Sequence, residues 1–185
     1  DANWTLIPTY SQNLWTYSNR ASSNGASTSA GYYYAVAPSS ADYTVEADVY
    51  RLSTTNDGAP GLVLRCSASA ATFYYLQYVH SVGVLKIWKS VAGSFTELYV
   101  SAGVTPMAQF ETARMKFSIA GNSMDAWFRG TQVFTSKTDS SITAAGYAGI
   151  RTYRPNYFDF DNFSATEAGG INIPVAVHHL NQMRS

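Results

Sequence analysis

Two pairs of carboxylates are the first groups in this chain whose type and spacing could do chemistry. Glu46 and Asp48 stand two residues apart in Asp42-Tyr-Thr-Val-Glu-Ala-Asp-Val-Tyr50, so an extended strand puts both on one face. Retaining glycosidases need two carboxylates roughly 5–5.5 Å apart, and this pair raises that chemistry. The next residue on the same face is Tyr50, so no third acid joins them. The same two acids could instead pair with Arg65 and Lys86 across strands. Asp159 and Asp161 form the second pair, with Asn162 beside them. Oxygen donors of this kind suit a structural Ca2+, or they could cap turns and pair with Arg151 or Arg154. His80, His178, His179 and the single Cys66 make no metal-ligand spacing. No nucleophile elbow, phosphate-binding glycine loop or zinc pattern occurs. No cofactor is expected beyond the Ca2+ at Asp159 and Asp161.

The elements that must position these groups are β-strands. Between Ala41 and Thr166 short segments rich in β-branched and aromatic residues recur every eight to twelve residues or so, as in a sandwich. Trp4 to Pro8 and Tyr32 to Ala37 read as strands, with a Ser-, Asn- and Gly-rich loop from Ser18 to Gly31 between them. Asp42 to Arg51 alternates, with Val45, Ala47 and Val49 on one face and Glu46, Asp48 and Tyr50 on the other. A turn at Thr54 to Pro60 leads into strands at Gly61 to Cys66, Phe73 to Val79, Val84 to Ser90 and Phe95 to Val100. Further strands are expected at Arg114 to Ala120, Met124 to Phe128, Gln132 to Thr135, Ala148 to Tyr153 and Asn156 to Thr166.

Alternation also assigns faces. Leu62, Leu64, Cys66, Leu85 and Ile87 are placed in the core, and Leu76 is taken to turn inward. The outward set then comprises Glu46, Asp48, Tyr50, Arg65, Tyr75, Gln77, Lys86 and Trp88. Tyr and Trp rings stack on the C–H faces of sugars, and flanking polar groups meet the hydroxyls. Tyr50, Arg65, Tyr75, Gln77, Lys86 and Trp88 are therefore the candidate ligand-binding residues, the alternative being cross-strand pairing with Trp88 covering apolar surface.

The 185 residues suffice for one sandwich with a sizeable core. Charged residues make up 13%, well below the roughly 25% of an average domain, while Tyr alone numbers 14. That balance suits a protein outside the cytosol or one largely covered by neighbours. Net charge is zero, which argues against a nucleic-acid partner. No apolar run approaches the ~20 residues of a membrane span. Cys66 cannot form an internal disulfide and reads as a buried small hydrophobe. The chain begins at Asp1, as expected of a mature product or a fragment.

The last residues differ. Residues 1–167 read as the sandwich, and 168–185 as a linker with a C-terminal docking tail. The tail is too apolar to stay free and too short to fold alone, so Ile171, Ile173, Pro174, Val175, Val177, His178, His179, Leu180 and Met183 are expected to dock on this domain or on a neighbour. Pro174 could open a short helix from Val175.

The order of marks from Ala41 to Thr166 resembles that of laminin-G/concanavalin-like jelly rolls. Those marks are the Asp42 strand, Gly61-Leu-Val-Leu-Arg65, Tyr74-Tyr-Leu-Gln-Tyr78, Leu85-Lys-Ile-Trp-Lys89, the Gly121-Asn turn, Asp139, Gly149-Ile-Arg151 and Phe158-Asp-Phe-Asp-Asn-Phe163. The resemblance implies an all-β, concanavalin-like jelly-roll β-sandwich of two antiparallel sheets, of the kind appended to glycoside hydrolases or found in keto-disaccharide hydrolases. Laminarinase-type members carry Glu-x-Asp-x-Glu on the equivalent strand; Tyr50 replaces the last acid here, which speaks against catalysis. Ile171 to Arg184 is similar to short ends of tailed-phage virion proteins. Together these imply a non-catalytic structural or binding module, virion-borne or extracellular, held among other virion subunits or in an oligomer by its tail and contacting surface glycans. A secreted carbohydrate-binding module of a glycoside hydrolase is the alternative, and a keto-disaccharide-type hydrolase the less favoured third.

Overall fold

The computed structural model describes residues 4–6, 14–17, 20–23, 29–34, 37–55, 57–153, 157–168 and 172–173, with backbone only for 4–6, 14–17, 22–23, 29–34 and 172–173. The expected all-β architecture is present, as two antiparallel sheets. One sheet joins, in spatial order, β1 (Trp4–Leu6), β4 (Ser29–Tyr34), β13 (Tyr147–Tyr153), β6 (Ala59–Cys66), β7 (Phe73–Val79), β8 (Val84–Val91) and β9 (Ser94–Val100). The other runs β12 (Thr131–Thr138), β11 (Ser123–Phe128), β10 (Thr112–Ala120), β5 (Tyr43–Arg51), β14 (Phe158–Glu167), β3 (Arg20–Ser23) and β2 (Leu14–Tyr17), with β15 (Asn172–Ile173) also on β14. Pairings between strands far apart in sequence, β5 with β14 in one sheet and β6 with β13 in the other, give the jelly-roll order.

Strand alternation accounts for the core. Along β5 every second residue is buried, and Val45, Ala47 and Val49 meet Leu62, Leu64 and Leu76 from the opposite sheet. Tyr74, Tyr78, Phe117 and Phe158 complete this layer. Arg129 and Gly130 both take positive φ (52° and 77°), the two-residue turn whose twist matches the β11–β12 hairpin.

Two expectations need correction. Strand β3 and the start of β4 fall where a loop was read, because Ser, Asn and Ala carry little strand signal when tertiary pairing, not propensity, selects the conformation; β2 lies in a stretch to which no element was assigned. Cys66 does not share a face with Leu62 and Leu64. Arg65 sits at a β-bulge with φ 51°, where the pairing register with β13 slips between Tyr147 and Gly149, and the parity of the strand inverts. Cys66 therefore packs on the outer side of the seven-stranded sheet with Val63, Phe73 and Tyr75. Its thiol is fully buried, and burial pushes its pKa up to about 12, so it is an unreactive space-filler as expected.

After Glu167 the chain turns back. The Ala168 N–H donates to Asp42 O, and Ile173 pairs with Ala165 of the same domain. Ile171, Pro174, Val175, Val177, His178, His179, Leu180 and Met183 lie outside the described residues.

Candidate ligand-binding face

A cavity of about 280 Å3 opens on the outer face of the seven-stranded sheet, lined by Tyr75, Gln77, Trp88, Phe95, Arg151 and Tyr153. Strand register explains the grouping. Arg151 of β13, Gly61 of β6 and Gln77 of β7 are direct neighbours across three strands, and the adjacent row holds Val63, Tyr75 and Trp88. Gly61 is required at the centre. A Cβ there would lie 1.9 Å from Leu76 O and 2.5 Å from the Tyr75 ring. Without one, the Tyr75 ring passes over Gly61, and its hydroxyl donates to Ala59 O at 3.0 Å.

The polar groups of the cavity are oriented. Trp88 Nε1 donates to Gln77 Oε1 at 2.9 Å, which fixes the indole plane and leaves the Gln77 amide N–H groups as that side chain's outward donors. The Arg151 guanidinium stands 4.8 Å from the Tyr75 ring centroid and 5.2 Å from that of Phe95, a stacked position that favours a planar cation. Lys86 lies just outside, salt-bridged to Glu97 at 2.7 Å with its ammonium 5.5 Å from the Trp88 ring. The lining thus offers aromatic surface with a few fixed donors, as small polar ligands with C–H faces require.

Of the six expected ligand-binding residues, Tyr75, Gln77 and Trp88 meet in this cavity, with Lys86 beside it. Tyr50 belongs to the other sheet, under the Arg20 guanidinium (3.7 Å) and near the Phe110 ring (6.4 Å). Arg65 is 3% exposed because the bulge turns it into the sheet junction. There it donates to Ala41 O (2.8 Å), Ile142 O (2.6 Å) and Gly121 O (2.8 Å) and meets Asp42 at 3.1 Å. The single shared face therefore resolves into two, since outward parity was read strand by strand without knowing which strands share a sheet. Phe95 and Tyr153 went unread, and Arg151 was read only as a possible partner of Asp159 and Asp161, which belong to the other sheet. The only sequence signal for these three cavity residues was alternation on the strands flanking Gly149-Ile-Arg151 and Ser94-Phe95.

The acidic pairs lie on the outer face of the eight-stranded sheet. Arg114, opposite Asp48 on β10, forks to Glu46 (3.1 Å) and Asp48 (3.2 Å), and Lys116 approaches Glu46 at 3.7 Å. The cross-strand pairing expected for these acids is present, with Arg114 and Lys116 as partners in place of Arg65 and Lys86. Asp159 and Asp161 follow on β14 beside Tyr50 and Asp48. The Asn162 side chain donates to Asp48 Oδ2 (2.7 Å), and its carbonyl accepts from Arg114 (2.9 Å), so these neighbouring polar groups are taken up by cross-strand contacts. Among the described residues no three His, Cys, Asp or Glu side chains form a metal-sized cluster.

The sheets and their order define a jelly-roll β-sandwich of the concanavalin and galectin kind. Solved structures agree. The carbohydrate-binding module CBM66 from Bacillus subtilis superposes with a TM-score of 0.76 at 16% identity over 90% of this chain and 96% of its own. A Bacillus subtilis protein with a galectin-like fold gives 0.68 at 13% identity over 90% of each chain. Xylan β-1,4-xylosidase from Bacillus halodurans gives 0.58 at 19% identity, covering 90% of this chain and 37% of that one. No protein-family model and no curated protein matches the sequence.

Proposed function

We propose that this chain is a non-catalytic carbohydrate-binding module that holds a sugar in the cavity of Tyr75, Gln77, Trp88, Phe95, Arg151 and Tyr153. The carrying observation is the Trp88 indole, fixed in plane by Gln77 at the mouth of an aromatic cavity. A sugar ring stacks on such a plane, while Gln77 and Arg151 donate to its oxygens. The likeness to a named carbohydrate-binding module and to a galectin-like fold supports the reading. Engagement of Glu46 and Asp48 in ion pairs with Arg114 favours binding over hydrolysis.

The match to just over a third of a xylosidase favours an existence as the appended module of a hydrolase. Display on a virion through residues 171–185 rests on the sequence of the tail alone.

Affinity electrophoresis through gels cast with xylan, galactan or polygalacturonate tests the reading. The native protein is expected to be retarded by at least one of them. Trp88→Ala should lose about 1 kcal/mol or more of that binding while its circular dichroism stays native. Native mobility in all gels, or equal retardation of the variant, would remove the site.

A further inference from the structure

We infer that the cavity selects pyranoses whose ring hydroxyls are all equatorial, of the β-gluco or β-xylo configuration, over sugars with one axial hydroxyl, an inference that rests on the carbohydrate-binding reading above. Aromatic and polar rows alternate on the outer face of the seven-stranded sheet. The first row across the strands holds Val63, Tyr75 and Trp88, the second Arg151, Gly61, Gln77 and Lys86, and the third Tyr153 and Ala59. Rings therefore flank the polar row on both sides, Trp88 on one and Tyr153 on the other. Both line the cavity, and Phe95 reaches it from β9.

Residues two apart on a strand stand about 7 Å apart, so the two flanking rows are about 13–14 Å apart at the backbone. The Trp88 indole leans toward the middle row, where its N–H meets Gln77. The cavity between the rows measures about 280 Å3, just under the range that holds a drug-sized ligand, which suits a single saccharide ring. An all-equatorial pyranose presents only C–H groups on both of its faces and carries every hydroxyl at its edge. Its faces then meet the rings and its edge meets the polar row, whose atoms include both donors and acceptors. This selection lives on the ring faces, so it does not require that Arg151, Gln77 or a tyrosine hydroxyl be unengaged. One axial hydroxyl upsets the match. Turned to either side, it lies against an aromatic wall, where it loses water and gains no partner of equal strength.

The test is titration of the labelled full chain, read on its Trp indole resonances, with the methyl β-glycosides of glucose, xylose, galactose and mannose. The galactoside and the mannoside each differ from the glucoside only in the orientation of one hydroxyl. The glucoside and the xyloside are expected to bind at least about tenfold more tightly than the other two, as burial of one unsatisfied hydroxyl requires. Tyr153→Ala opens one wall, so that a galactoside can turn its axial hydroxyl to water. The margin should narrow in that variant, and Tyr153→Phe should restore it because the ring returns. The four titrations of the native protein stand even if the variants fold poorly. A galactoside or mannoside that binds as tightly as the glucoside would overturn the inference and leave the sugar site in place, as would a margin unmoved in Tyr153→Ala. Binding of none of the four would overturn the inference and the carbohydrate reading with it.

Discussion

Asp139 shows how single residues hold this domain together. Burial works against its charged form, but hydrogen bonds from Lys89 (2.8 Å), the Ser141 N–H (2.8 Å) and the Tyr74 hydroxyl (2.8 Å) outweigh that and bring its pKa down to about 2. The Tyr74 hydroxyl also accepts the Ile142 N–H, so one carboxylate fastens the 139–142 segment to β7 and β8. A carboxylate whose pKa is lower in the folded state stabilises above its unfolded pKa, and that contribution is lost as pH falls through the folded value. Asp139→Asn should therefore lower stability at neutral pH by something on the order of 1–2 kcal/mol. The gap to the native protein should close between about pH 4 and pH 2, as urea melts over that range would show. His80 adds to acid sensitivity: burial and nearby Arg51 lower its pKa, so protonation at acid pH works against the packed state. The same scale explains why Arg65 misleads a reader of the sequence. Gly61-Leu-Val-Leu-Arg65 alternates cleanly, and nothing local announces that Arg65 adopts φ 51° to satisfy the carbonyls of Ala41, Gly121 and Ile142.

At the scale of elements, most strands were legible because half-buried antiparallel strands alternate, and β5, β7, β8 and β10 fall within a residue or two of where alternation puts them. Pairing order was not legible. It depends on contacts such as β13 with β6 that join residues far apart in sequence, and so Arg151 stayed hidden beside Gln77 while Tyr50 was credited to the wrong sheet. β6 is the keystone of the candidate face, since Gly61 lets the Tyr75 ring cross it. Gly61→Ala would force a methyl group against the Leu76 carbonyl and that ring. It should cost roughly 1–3 kcal/mol, as overpacking does, and weaken sugar binding in the fraction that stays folded. Native melting with undiminished binding would show that the ring does not need the gap.

The whole molecule is a sandwich with chemically different outer faces. The seven-stranded sheet presents an aromatic, donor-bearing cavity, and the eight-stranded sheet a network of paired charges around Arg114. The tail starts on the second of these, where Ile173 pairs with Ala165, so the candidate face stays clear of β15. If residues 171–185 act as an assembly element, the full chain should sediment as an oligomer and a chain ending at Glu167 as a monomer; two identical monomers would confine the tail to its own domain. Neither outcome touches the central claim, which concerns the other sheet. That claim is tested most directly by following the backbone amide and Trp indole resonances of the labelled full chain during titration with oligogalacturonide, xylooligosaccharide and galactooligosaccharide. The account predicts that at least one sugar shifts the Trp88 indole signal together with the amides of Tyr75, Gln77, Arg151 and Tyr153, leaving those of Glu46, Asp48 and Arg114 in place. Shifts centred on Glu46 and Asp48, or none with any of the three, would contradict it.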